Sequence, residues 1–113
     1  MPFINSRVSV KMTEEQKETI KARFGEAMAT LGKSEDWLMV GFEDEYCLYF
    51  KGQKSPKIAM VEVALFGKAG SAAYNKFTAQ VCEILGDVLG IPADKIYVKY
   101  EEVSNWGWNG GNF

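Results

Sequence analysis

A chain of 113 residues that contains no histidine must run any proton transfer without the side chain that most often does so near neutral pH. Pro2 is the first alternative. Methionine aminopeptidases remove Met1 when the second residue is small, and proline qualifies. Cleavage would leave a secondary amine at the start of the chain. An α-amino group titrates near pKa ~7.7–8.0, and burial or a neighbouring cation lowers it into the range where a general base works. Lys33 follows directly on Gly32. There it can complement a helix C-terminus or hold an anion. The tail from Asn105 to Phe113 sets Trp106, Trp108 and Phe113 among Gly and Asn. Most tails are polar and fray, so an aromatic one is expected to pack, either as an oligomer contact or as a pocket wall.

Other chemistries lack their residues. There is no GxGxxG, no P-loop, no metal-ligand cluster and no Ser/His/Asp set, so no metal and no cofactor is expected. Gly67-Lys68-Ala69-Gly70-Ser71 could face an anion at a helix N-terminus, but it lacks Walker spacing and reads better as a helix cap. Net charge is −2, which gives no basic field for nucleic acid or anionic lipid. No apolar run reaches the roughly 20 residues of a membrane helix. The N-terminus turns polar too early for a signal peptide. The expected location is therefore the cytoplasm, or outside the cell by a route that uses no signal peptide. Cys47 and Cys82 lie far apart with no CxxC and read as two reduced, buried thiols.

An internal repeat organises the elements that must position these residues. Gly32 and Gly90 are 58 residues apart, and the same offset pairs Leu31 with Leu89, Asp36 with Asp94, Val40 with Val98 and Phe42 with Tyr100. The two units cover roughly residues 1–50 and 57–108 of a single domain, 1–113. Each reads strand–helix–strand. In the first, Phe3 to Val10 is a strand, and Thr13 with Gln16 forms a capping box. Ile20, Phe24, Ala27 and Leu31 form an apolar stripe, Gly32 stops the helix, and Trp37 to Phe42 is the returning strand. In the second, Lys57 to Phe66 is a strand and Ser71 caps the helix. Tyr74, Phe77, Val81, Leu85 and Val88 form its stripe, Gly90 ends it, and Ile96 to Glu101 returns. Two short pieces, Tyr46 to Phe50 and Trp106 to Asn109, read as edge strands.

The expected fold is α/β in content, of the α+β kind. Two βαβ units give a four-stranded mixed sheet, and right-handed crossovers put both helices on one face. The strand residues Leu38, Val40 and Phe42 against Trp37 and Met39 read as apolar on both faces. The uncovered face then calls for a partner, and an obligate oligomer is expected.

Taken together, these features resemble the macrophage migration inhibitory factor family of the tautomerase superfamily. The resemblance runs over the whole chain. It rests on Met1-Pro2-Phe3-Ile4, Leu31-Gly32-Lys33, Phe66-Gly67-Lys68, Ile91-Pro92-Ala93-Asp94-Lys95-Ile96-Tyr97-Val98 and Trp106-Gly107-Trp108-Asn109 with Phe113. It implies a homotrimer with sites between subunits, and keto–enol tautomerisation of α-keto acids such as phenylpyruvate and 4-hydroxyphenylpyruvate. Pro2 would move the proton, Lys33 would hold the substrate carboxylate, and Tyr97 of a neighbour would donate a hydrogen bond. Phe66, Trp37, Trp108 and Phe113 would line the slot, with Phe3 and Trp106 beside them. A developing enolate needs a donor or cation, and an aryl substrate needs an apolar slot.

Three departures from the family pattern bear on the site. Lys99 stands where mammalian members carry an Asn, and it offers a second cation to substrate. Phe66 replaces a smaller aliphatic, and Trp106 adds bulk. The CxxC of some members is absent, which removes the thiol-oxidoreductase activity ascribed to them. The alternative reading is a cytokine-like protein that engages a host cell-surface receptor. A further one is a different chemistry on the same fold, such as dienoate isomerisation or hydration of a halogenated acid.

Overall fold

The computed structural model describes residues 1–113. Four strands form one mixed sheet in the order β2-β1-β5-β6. β1 (Pro2–Val8) and β5 (Ala59–Phe66) run antiparallel at its centre, with Pro2 opposite Leu65 and Val8 opposite Ala59. β2 (Met39–Glu43) lies parallel to β1, and β6 (Ile96–Val103) lies parallel to β5. Each parallel pair is bridged by a helix, α1 (Glu14–Ala27) or α2 (Ser71–Leu89). The duplicated βαβ architecture is thus the one expected. Two small hairpins complete the chain. They are β3 (Tyr49–Phe50) with β4 (Gln53–Lys54), and β7 (Gly107–Trp108) with β8 (Gly111–Asn112).

Local signals act as written in the sequence. The Thr13 hydroxyl accepts from the Gln16 amide at 3.1 Å, and the Gln16 side chain accepts from the Thr13 amide at 2.9 Å, so two orphan donors of α1 are satisfied. After α1 a tight turn, Met28–Leu31, ends at Gly32 with φ of 66°. That left-handed conformation favours glycine. Gly90 ends α2 in the same way. The residue after each stop differs: Lys33 in the first unit, Ile91 in the second.

The core lies between the sheet and both helices. Ile4 and Val8 of β1 and Val61, Val63 and Leu65 of β5 meet Ile20 and Phe24 of α1 and Phe77, Val81 and Leu85 of α2. No helix is long and apolar enough to cross a membrane.

Four expectations are corrected. Trp37 is not in the returning strand. Glu35–Trp37 form a single helical turn that the Ser34 side chain caps, and β2 begins at Met39. Ser71 is not the cap of α2 but its first residue. The cap is Gly70, whose φ of 97° a serine would adopt only under strain. The two thiols are not both buried: Cys47 is exposed and Cys82 half-buried, and neither is in a disulfide.

The fourth correction concerns the second face of the sheet. β1 and β5 alternate strictly between buried and half-buried positions, the pattern of a sheet with one covered face. The open face is ionic at its centre. Arg7 pairs with Glu62 and, at 3.0 Å, with Glu43. Lys99 reaches Glu62 at 3.3 Å and Glu101 at 3.7 Å. Asn5 donates to Glu43 at 2.8 Å. Apolar residues such as Met39 and Tyr97 sit around this network, so a partner is not demanded by continuous apolar surface.

Candidate active site

The ends of β1 and β5 and the turn after α1 converge on one point. Pro2 opens β1 and is buried. Its nitrogen here belongs to the Met1–Pro2 peptide bond, whose carbonyl accepts a hydrogen bond from the Phe66 amide at 3.1 Å. Because the helix stops at Gly32, Lys33 turns toward the end of β5. Its ammonium donates to the Phe66 carbonyl at 3.0 Å. No carboxylate lies within ion-pair distance of Lys33. The Met1 ammonium is held below its ordinary pKa, first by burial and second by the charge of Lys33. Both causes disfavour a second positive charge at this end of β1.

Aromatic rings extend from the same point. Phe66 lies 5.9 Å from Phe113, Phe113 stacks on Trp108 at 6.2 Å, and Trp108 meets Trp37 edge-on at 4.9 Å. The tail is held in place by the hairpin around Asn109–Gly110 and by the Phe113 amide, which donates to the Trp106 carbonyl at 3.0 Å. Trp37, Trp108 and Phe113 remain 46%, 53% and 56% exposed, so this wall is open and able to receive a ring. A cavity of about 210 Å³ lies along Trp108, Asn109 and Phe113.

Pro2, Lys33, Phe66, Trp37, Trp108 and Phe113 are therefore brought together. Trp106 lies at the base of the tail and is half-buried; its ring joins none of these aromatic pairs. Phe3 points to the open face of the sheet, where it lines a cavity of about 200 Å³ with Asn5, Arg7, Glu62 and Lys99. Lys99 sits in that same cavity with its charge offset by two carboxylates. Tyr97 is far away. It is opposite Met60, whereas Pro2 is opposite Leu65, itself opposite Glu102. Five residues of β6 separate the two places, about 17 Å at ~3.3 Å per residue. One chain therefore does not bring Tyr97 to Lys33.

One neighbour of Tyr97 escaped the sequence reading. The Phe50 ring meets Tyr97 edge-on at 5.1 Å, with the Lys51 and Lys95 ammonium groups 5.7 and 5.5 Å from its centre. The only available signal was an aromatic residue in a short edge piece. Nothing in the spacing of residues 50 and 97 tells that they touch.

A buried strand end, a lysine without a carboxylate partner and an open aromatic wall, set on duplicated βαβ units, define a small α+β protein. Its kinship agrees. The model of the macrophage migration inhibitory factor (MIF) family matches residues 1–113, and the chain belongs to that family. The macrophage migration inhibitory factor of Meriones unguiculatus is 33% identical over 89 residues, which cover 77% of this chain and 76% of the relative. The crystal structure of Leishmania major MIF2 superposes with a TM-score of 0.93 at 32% identity, covering 100% of this chain and 97% of that one. The homologue from Prochlorococcus marinus gives 0.88 at 29% identity, covering 98% of each chain.

Proposed function

We propose that this protein is a keto–enol tautomerase of aryl α-keto acids such as phenylpyruvate and 4-hydroxyphenylpyruvate, with Pro2 as the acid–base group. The observation that carries this is the convergence of Met1, Lys33 and Phe66. The Met1 carbonyl occupies the Phe66 amide at 3.1 Å, and Lys33 stands on the other side of that residue at 3.0 Å from its carbonyl. Removal of Met1 frees three groups at once: a secondary amine on Pro2, the Phe66 N–H and room beside the Lys33 ammonium. An amine can take a proton, whereas the amide nitrogen left by a retained Met1 has its lone pair delocalised into the carbonyl.

In this reading Lys33 and the Phe66 N–H hold the substrate carboxylate, and the aryl ring lies on Trp37, Trp108 and Phe113. The Pro2 amine removes a proton from the benzylic carbon of the keto form. The C–H electron pair becomes the carbon–carbon double bond, and the carbonyl π pair moves to oxygen. The protonated Pro2 then delivers the proton to that oxygen, and the reverse sequence restores the ketone. The positive charge of Lys33 serves twice: it favours the neutral amine before the reaction, and it holds the substrate carboxylate equally before and during proton transfer.

By likeness to the family, Tyr97 would enter from a neighbouring subunit of a homotrimer; its distance from Pro2 within one chain supports that reading. Lys99 projects from the same face of β6. With Glu62 and Glu101 beside it, it would act as a hydrogen-bond donor and not as a net cation.

The test follows enol-to-keto conversion by ultraviolet absorbance, with intact mass confirming that Met1 is gone. Pro2→Gly should lose about a hundred-fold or more in rate, and a form that retains Met1 should be inactive. Equal rates in wild type and Pro2→Gly would remove Pro2 from the mechanism. A second reading, a receptor-binding factor, draws on the names of the vertebrate relatives. Receptor engagement by a processed protein without measurable turnover would favour it.

A further inference from the structure

Between β5 and α2 the chain has four residues, Gly67 to Gly70, to turn from the end of the strand into the helix. Gly67 and Gly70 both take positive φ, 82° and 97°, and no side chain caps the helix. Such a loop would be loose if nothing tied it down. Here it is tied from outside. The Gly67 amide donates to the Val103 carbonyl at 3.0 Å. The Ala69 amide donates to the Tyr74 hydroxyl at 3.1 Å, and that hydroxyl donates to the Glu102 carboxylate at 2.6 Å. The Tyr74 ring lies 4.5 Å from Tyr100, whose own hydroxyl donates to the Tyr74 carbonyl at 3.0 Å. Glu102 is the residue of β6 that faces Leu65. The first turn of α2 and the loop that leaves β5 are thus fastened to adjacent residues of β6, Glu102 and Val103.

That place is next to Phe66, whose carbonyl receives Lys33 and whose amide meets Met1. We infer that Tyr74 and Glu102 are positioning residues: they hold the 67–70 loop so that the Phe66 peptide groups and Lys33 keep the geometry that receives the substrate carboxylate. This rests on the tautomerase reading above. Neither residue touches substrate. Their effect passes through the Ala69 amide and the loop to Phe66. A group that binds the carboxylate equally before and during proton transfer affects KM more than kcat, so loosening it should do the same.

The experiment uses the processed full-length protein and phenylpyruvate. Tyr74→Phe keeps the ring on Tyr100 and removes only the hydroxyl. It should raise KM about five-fold, the effect of one ordinary hydrogen bond, and leave kcat within about two-fold. Glu102 is exposed, so its variants should fold. Glu102→Ala should reproduce the rise in KM, while Glu102→Gln, which keeps an acceptor, should restore a near wild-type value. The double variant Tyr74→Phe/Glu102→Ala should be no worse than Tyr74→Phe alone, because the two residues act through one link. Amide exchange gives a readout independent of turnover: the Ala69 amide should exchange faster in Tyr74→Phe. Unchanged KM with unchanged Ala69 exchange overturns the inference. So does a fall in kcat at constant KM, or an additive double variant. Wild type that fails to turn over phenylpyruvate would sink the tautomerase reading instead, and faster Ala69 exchange would still support the strap while unchanged exchange would refute it.

Discussion

The ammonium of Lys33 is bound by the carbonyl oxygen of Phe66 at 3.0 Å and by no carboxylate. A carbonyl orients a cation without neutralising it. The charge stays available at the buried start of β1, where it already depresses the protonation of the chain's own amine.

Removing that charge should therefore cost substrate binding. Lys33→Ala is expected to raise KM for phenylpyruvate by about ten- to a hundred-fold, the range of a hydrogen bond to a charged group. Lys33→Arg should fall between, since its planar fork keeps the charge but not the shape. In the processed protein, the amine of Lys33→Ala should also titrate higher than in wild type. Steady-state kinetics across pH measure both. An unchanged KM in Lys33→Ala would take the carboxylate away from Lys33.

The two helix starts make opposite predictions for similar residues. Thr13→Ala breaks a reciprocal pair of hydrogen bonds and should destabilise the fold by about 1 kcal/mol. Ser71→Ala should change stability by no more than about 0.5 kcal/mol, because Gly70 is the cap and no side chain of its own bonds the helix start. Urea unfolding of the two variants compares them directly. A larger loss from Ser71→Ala than from Thr13→Ala would contradict the cap assignment.

High pH should weaken the fold. Burial pushes the Cys82 thiol above its ordinary value of 9.0. Burial likewise raises Tyr100 above 10.0, against the opposing hydrogen bond from Thr78. The folded chain thus keeps protons that the unfolded chain releases, so the unfolded state binds fewer protons above those values and stability falls as pH rises. The urea midpoint should be lower at pH ~10.5 than at pH ~8, and Cys82→Ala should show a smaller drop between the two. A midpoint that is flat over this interval would contradict it.

What the sequence showed well was local. The Thr13–Gln16 box, the stops at Gly32 and Gly90 and the stripe through Ile20 and Phe24 depend on residues within a few positions of one another. Trp37 was misread as strand because its apolar neighbours outweighed the Ser34 side chain, which caps a helical turn there. The open face was misread because Trp37 to Phe42 carries no charge, whereas the next residue, Glu43, closes β2 inside the ionic network. Arg7 finds Glu43 and Glu62 on two other strands, and Lys99 finds Glu62 on β5 as well as Glu101 of its own strand. In the site, Lys33 and the aromatic tail stood out by their type and by likeness to a family. The contact between Phe50 and Tyr97 did not, because it depends on how a two-residue strand folds back on a distant one.

The duplicated units share a corner that they use differently. After Gly32 stands Lys33; after Gly90 stands Ile91, only 1% exposed. The same bend of the chain is wired with charge in one half and plugged with hydrocarbon in the other. A doubled scaffold frees one copy of an element from its structural duty, and here the first half is the one released. The other ingredient of the proposed chemistry cannot be copied at all, because a polypeptide has only one beginning. Joining two such chains end to end would double the Lys33 corners and the aromatic walls. It would still leave a single free amine, and so a single working centre for every fused molecule.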